Sequence, residues 1–209
     1  KTALVLSGGS TIAMYHYGVM RALYDQGMLP RIISGSSGGS LLASIVCCKT
    51  TEELKELFAD PRTGVKMGVW ERPEYQFSWP ERFRRLYRGK SMLTYETFRD
   101  FIKDNCGDLT FREAYDRTGM ILNITVTGQN VHDGNIVLNY LSAPNVVIWS
   151  AVCCSSAIPL VLGPVDLYCK DPNGKIIPYY YNGSRRFIDG SVGADLPTQT
   201  LSELFNVNT

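Results

Sequence analysis

The strongest candidate for chemistry in this sequence is the stretch Gly35-Ser36-Ser37-Gly38-Gly39, which fits the pattern G-x-S-x-G. The apolar residues Ile32-Ile33 precede it and an apolar run, 41–48, follows, so we predict a strand, a tight turn and a helix. In such a turn the serine adopts a strained backbone conformation, and its hydroxyl is exposed at the end of the strand. Glycine is favoured on either side because a larger side chain would clash. Ser37 is therefore the candidate nucleophile, and a plain turn of small residues is the competing interpretation.

A second glycine turn, Ser7-Gly8-Gly9-Ser10, follows the apolar run 2–6 and precedes a helical pattern over 12–26. Strand, turn and helix thus occur twice, which predicts parallel strands with their carboxyl ends side by side. Open α/β sheets place their sites at that edge. We therefore expect the backbone N–H groups of the Gly8-Gly9 turn to face Ser37 and to stabilise an oxyanion.

Other interpretations of the Gly8 turn are weaker. A dinucleotide-binding loop needs three spaced glycines, and Gly8, Ser10 and Ala13 supply only one of them. A phosphate-binding loop needs a Gly-Lys-Ser/Thr ending, which this turn lacks. A purely structural turn remains the alternative.

A serine nucleophile needs a base, and only two histidines are present, His16 and His132. The α/β-hydrolase order of triad residues requires a histidine late in the chain, and none follows His132. We expect His16 to pack or bond locally, and His132 to lie in a polar turn. The remaining candidate is Asp189, at the end of a short apolar run and before Gly190. A carboxylate near Ser37 could accept its proton, but a solvated turn aspartate is an equal alternative.

The rest of the sequence predicts a single domain. Segment 61–90 is irregular, and within it the amphipathic stretch 81–88 indicates a surface helix, a mobile cover over the site, or a lip that contacts anionic lipid. Further predicted elements are a helix capped by Thr50 and Glu53, helices over 95–105 and 145–154 and after Thr110, strands over 120–127 and 136–140, and a hairpin over 168–180.

Composition excludes several classes of function. Lys and Arg exceed Asp and Glu by 21 − 20 = +1, so no bulk charge favours nucleic acid. No apolar run reaches the roughly 18 residues of a membrane span. The six cysteines form no C-x-x-C motif, so we expect buried, reduced thiols rather than a zinc site. Because the chain begins at Lys1, we expect it to be a segment of a longer protein.

Together these residues resemble the patatin-like family of serine acyl hydrolases, which combines a glycine turn, a G-x-S-x-G elbow and a later D-G-[GA] motif in a Ser–Asp dyad without histidine. Other segments resemble the intracellular triacylglycerol lipases of plants and yeasts. These segments are Leu6-Ser7-Gly8-Gly9, Tyr15-His16-Tyr17-Gly18-Val19, Leu29-Pro30-Arg31-Ile32-Ile33, Val146-Val147-Ile148-Trp149-Ser150-Ala151-Val152, Asp195-Leu196-Pro197 and Leu204-Phe205-Asn206-Val207-Asn208.

The resemblance implies a three-layer α/β/α sandwich with a mostly parallel central sheet over residues 1–209. It implies that Ser37 is the nucleophile, Asp189 the base and Gly8–Ser10 the oxyanion turn, with Gly35 and Gly39 in the elbow and no metal or other cofactor. The implied activity is hydrolysis of lipid acyl esters through an acyl-enzyme in lipid catabolism, as in a triacylglycerol lipase. The implied partners are an acylglycerol or phospholipid and, peripherally, a membrane or lipid-droplet surface inside the cell.

The chain also departs from the family pattern. The family commonly has glycine at the positions of Ser10 and Ala13, and glycine or alanine at that of Ser191. A catalytically impaired lipid-binding scaffold is therefore one alternative. A phospholipase A or lysophospholipid acyltransferase is another, because a second alcohol can capture the acyl-enzyme. A dinucleotide-dependent oxidoreductase is the weakest.

Overall fold

The computed structural model describes residues 1–60, 64–68, 95–128, 135–157, 165–180, 186–189 and 196–208. The amphipathic stretch 81–88, His132 and Ser191 lie outside the described residues.

The helices of the described residues are α1 (Tyr15–Asp25), α2 (Gly38–Cys47), α3 (Thr51–Ala59), α4 (Tyr95–Cys106), α5 (Phe111–Thr118), α6 (Ile148–Ser155) and α7 (Thr198–Phe205), with a 3-10 helix at Ser10–Met14. The strands are β1 (Ala3–Leu6), β2 (Ile32–Gly35), β3 (Ile121–Gly128), β4 (Asn135–Leu138), β5 (Val165–Asp166), β6 (Tyr168–Lys170), β7 (Ile176–Pro178) and β8 (Arg186–Asp189).

Six strands of the described chain form one central sheet. β1 pairs with β2 and β2 with β3 in parallel, while β4 and β8 each pair with β3 in the antiparallel sense. Because β5 is antiparallel to β8, four strands (β1, β2, β3 and β5) point one way and two point the other. The predicted α/β fold with a mostly parallel sheet is therefore confirmed. The predicted hairpin is present as the separate pair β6–β7.

Helices cover both faces of the sheet. α2, α4 and α6 contact one another on one face, where apolar strand side chains such as Ile33, Leu122 and Ile124 join the main core. On the other face, Leu201 and Phe205 of α7 pack against Ile32. α2 is almost entirely buried, which explains why its sequence is apolar all round.

Two predicted helices have different starts in the structure. The segment predicted as helix from residue 145 becomes helical only at Ile148, because Val146 and Val147 instead form β-bridges with Cys169 and Thr110. The pattern over 12–26 is divided between the 3-10 helix and α1. Within the described ranges, every helix is too short or too polar to cross a bilayer.

All six cysteines are free and buried, as predicted. Burial raises the pKa of the Cys47, Cys153 and Cys154 thiols, so these groups stay protonated and cannot serve as thiolate nucleophiles. The cysteines of α2 and α6 therefore act as small core residues.

Candidate active site

Ser37 lies at the junction of β2 and α2 with a strained backbone. Its φ of 49° and ψ of −125° are unusual for a residue that carries a Cβ, and it precedes the first residue of α2 as the N-cap. Such strain persists only where the surrounding structure enforces it, and it concentrates at functional sites. The strained serine turn predicted from the sequence is thus confirmed. The predicted exposure of this serine is wrong, because Ser37 is largely buried in the structure, with 4% of its surface exposed.

The two outer glycines of the motif allow backbone segments to approach closely. A Cβ at Gly35 would lie 2.5 Å from the carbonyl oxygen of Gly39, in the first turn of α2. A Cβ at Gly39 would collide with the carbonyl oxygen of Leu6 and lie 2.6 Å from that of Ser7. Both positions therefore require glycine, because any side chain would push α2 away from the ends of β1 and β2.

The glycine turn after β1 lies against this elbow. The Ser36 N–H donates to the Leu6 carbonyl oxygen at 3.2 Å, which ties the two turns together. Gly9 has a φ of 142°, a conformation that L side chains rarely adopt, and directly precedes the 3-10 helix. On its other side, His16 Nε2 donates to the Ser7 carbonyl oxygen at 3.0 Å. His16 thus bonds locally, as predicted, and braces the turn.

A buried hydroxyl that the sequence did not single out holds the backbone of Ser37. The Ser37 N–H donates to Ser155 Oγ at 2.9 Å, and Ser155 Oγ donates to the Thr125 carbonyl oxygen at 2.7 Å. Ser155 is the last residue of α6 and is fully buried. No motif marks Ser155 in the sequence, because its contact with Ser37 spans 118 residues.

The backbone register brings the strand that ends at Asp189 toward the elbow. On β3, Ile124 pairs with Gly35 of β2, and Val126 pairs with Asp189 of β8. β4 also pairs with both Ile124 and Val126, and it occupies one edge of β3. Since a strand has only two hydrogen-bonding edges, β2 and β8 must share the other edge. Their ends therefore face each other, with partners two residues, or about 7 Å, apart along β3.

A polar cleft of about 550 Å³ lies at the opposite end of α2 from Ser37. Residues lining it include Cys48, the C-cap of α2, and none of the elbow residues. A ten-residue helix is about 15 Å long, so this cleft is separate from the elbow. Several of its charges are already paired, as Arg117 is with Glu53 at 2.7 Å. It does not extend the candidate active site.

Among the described residues, no three or more His, Cys, Asp and Glu side chains group in a way that could hold a metal ion. The features that meet at the elbow are instead the strained Ser37, the glycine turn after β1, and the end of the strand that carries Asp189. This combination fits acyl transfer better than ligand coordination.

The sequence of this chain is similar to those of known proteins. Residues 4–202 match the family described as patatin-like phospholipase. Over the whole chain the sequence is 41% identical to triacylglycerol lipase ptl2 of Schizosaccharomyces pombe and 44% identical to a patatin-like phospholipase domain-containing protein of Aspergillus niger. The chain spans 32% and 27% of those two relatives, respectively.

A solved structure shows the same fold. The crystal structure of VipD from Legionella pneumophila matches 92% of this chain and 46% of that chain, with a TM-score of 0.52 at 15% sequence identity. At this identity the similarity concerns the fold alone. It agrees with the α/β sandwich of the described residues.

Proposed function

The chain belongs to the patatin-like phospholipase family, and from this premise we propose that it hydrolyses acyl esters of lipids through a dyad of Ser37 and Asp189. The observation that carries the proposal is the register of β3, which directs the end of the Asp189 strand toward the strained Ser37 turn. Neither histidine is supported as the catalytic base to the same extent as Asp189. His16 uses Nε2 to brace the Ser7 carbonyl, and His132 lies outside the described residues.

In the proposed reaction, the Asp189 carboxylate takes the hydroxyl proton of Ser37, and Ser37 Oγ attacks the ester carbonyl carbon. The N–H groups of Gly8, Gly9 and Ser10 stabilise the tetrahedral oxyanion, each such donor being worth about 10²–10³ in rate. The ester's alcohol leaves with the proton and an acyl-enzyme remains. Asp189 then activates a water molecule that releases the fatty acid. The dyad needs no metal or cofactor.

We propose triacylglycerol as the preferred substrate, on the basis of the relative named a triacylglycerol lipase. Phospholipid is the second candidate, because the matching family is described as phospholipases. The test is to assay the full-length protein with emulsified triolein and with phosphatidylcholine vesicles, measuring released fatty acid. Faster release from triolein supports the preferred substrate, and release only from phosphatidylcholine supports the second. A catalytically impaired scaffold would release nothing and would leave Ser37 unlabelled by a fluorophosphonate probe.

An exposed apolar stripe next to the Gly8–Ser10 turn supports the proposal that the protein acts at a lipid surface. Ile12, Tyr15 and Val19 follow one another at helical spacing and are 71%, 80% and 50% exposed. Exposed apolar patches of this kind mark interaction sites. We propose a lipid aggregate as the partner, because the stripe starts two residues after the proposed oxyanion turn and the proposed substrate is insoluble in water.

Introducing charged residues into this stripe should show whether it acts in binding to lipid or in the hydrolysis itself. We expect the double variant Tyr15→Glu/Val19→Glu to hydrolyse emulsified triolein about tenfold more slowly or worse, because apolar contact with lipid is lost. Hydrolysis of a water-soluble butyrate ester should be nearly unchanged. Leu204→Glu is the control, since Leu204 is also exposed (45%) but lies on α7, over the opposite face of the sheet. An equal loss on both substrates, or none on triolein, would contradict the lipid-surface proposal.

A further inference from the structure

Ser155 holds the nucleophile turn through the backbone rather than through the reacting hydroxyl. Its Oγ accepts a hydrogen bond from the Ser37 N–H and donates one to the Thr125 carbonyl oxygen, so this fully buried hydroxyl is used both as acceptor and as donor. The Ser37 N–H is also withdrawn from any role as a donor to substrate. A buried N–H is costly to leave unpaired, so this contact favours the strained conformation of Ser37 over relaxed alternatives.

The place where this bridge meets the sheet gives it a second role. Thr125 lies between Ile124, the partner of Gly35, and Val126, the partner of Asp189. The Ser155 hydroxyl therefore connects the Ser37 turn to the one residue of β3 that separates the two strand ends. Any slip of the turn along β3 has to break this bridge.

We propose that Ser155 is a positioning residue that sets the separation of Ser37 and Asp189 by fixing the Ser37 backbone to β3. The inference rests on the proposed Ser37–Asp189 dyad. Removal of the hydroxyl leaves the Ser37 N–H unpaired and lets the turn relax. A displacement of about 1 Å at a reacting centre lowers the rate by about 10²-fold.

α6 offers a matched control in Ser150. This serine is also fully buried, donates to the Val147 carbonyl oxygen at 2.8 Å and accepts the Tyr168 N–H at 3.1 Å. Ser150→Ala therefore removes the same kind of hydroxyl from the same helix without touching the Ser37 turn. Both variants lose a comparable number of hydrogen bonds, so a purely structural role predicts similar effects.

The experiment compares Ser155→Ala, Ser155→Cys and Ser150→Ala in the full-length protein. It measures kcat and KM for a water-soluble butyrate ester, the rate of fluorophosphonate labelling at Ser37, and the thermal midpoint. We expect Ser155→Ala to lower kcat and the labelling rate by about 10²-fold, with KM little changed. Ser155→Cys should lose less of its kcat than Ser155→Ala, because a thiol can still accept the Ser37 N–H, although more weakly than a hydroxyl does. Ser150→Ala should lower the thermal midpoint but keep kcat near the parent value.

Equal loss of kcat in Ser150→Ala and Ser155→Ala would overturn the inference in favour of a structural role. If Ser155→Ala does not fold, Ser155→Cys decides, and parental kcat and labelling in that variant would overturn it too. Failure of the proposed function gives a different result, because the parent protein itself would then neither hydrolyse the ester nor label at Ser37.

Discussion

Replacing Ser37 with alanine is expected to reduce ester hydrolysis by on the order of 10⁴-fold or more, because no other group can then form the acyl-enzyme. The fold should survive, since alanine keeps the Cβ and adopts the φ of 49° at about the same cost as serine. The Ser37 N–H can still donate to Ser155. The measurements are hydrolysis of a water-soluble butyrate ester, fluorophosphonate labelling and the thermal midpoint.

Ser44→Ala is the control for this substitution. Ser44 is a buried serine of α2, the helix that Ser37 precedes, and its hydroxyl donates to the Leu41 carbonyl oxygen at 2.7 Å. We expect Ser44→Ala to keep the hydrolysis rate within a few-fold of the parent. Parental activity and labelling in a folded Ser37→Ala protein would remove Ser37 from the mechanism.

The elbow could be predicted from the sequence because its constraints are local. Glycines 35 and 39 are needed where the backbones of β1, β2 and α2 touch, and the apolar runs on either side fix the strand and the helix. The prediction that residues 146–147 are helical was wrong for the opposite reason, because their structure depends on distant contacts. Val146 and Val147 are apolar enough for a buried helix, but their backbones form β-bridges with residues that are distant in the sequence.

The surroundings of Ser37 could not be predicted, because they depend on packing between distant segments. Ser155 contacts Ser37 because α6 packs on β3, and no pattern in residues 148–155 predicts that contact. The apolar stripe of Ile12, Tyr15 and Val19 shows a related limit. Its spacing predicts a helix, but periodicity alone does not reveal that this face is exposed while Met20 is buried.

The strand register adds to the sequence motif as support for the proposed role of Asp189. The sequence left a catalytic base and a solvated turn aspartate as equal alternatives. Because β8 is antiparallel to β3 and shares an edge of β3 with β2, it runs toward the end of β2 and reaches Val126 at Asp189. A strand that runs in this direction ends on the side of the Ser37 turn, which supports the proposal of a catalytic base over a solvated turn aspartate.

Asp189→Asn is therefore expected to lower kcat/KM for the butyrate ester by about 10³-fold or more, because an amide of the same shape cannot accept the Ser37 proton. Fluorophosphonate labelling at Ser37 should slow in parallel. Asp189→Ala is measured beside it, since asparagine before Gly190 is prone to deamidation back to aspartate. Asp171→Asn is the matched control, because Asp171 Oδ1 only accepts backbone N–H groups in the β6–β7 turn and an amide oxygen can do the same.

Parental activity in both Asp189 variants would require another base, and His16→Gln then separates the remaining explanations. As a brace of the Ser7 carbonyl, His16 Nε2 can be replaced in part by the glutamine amide, so a modest loss of activity is expected. As a general base it could not be replaced, and activity would fall as far as in Ser37→Ala. The dyad thus predicts a large effect at residue 189 and a small one at residue 16, whereas a Ser–His pair predicts the reverse.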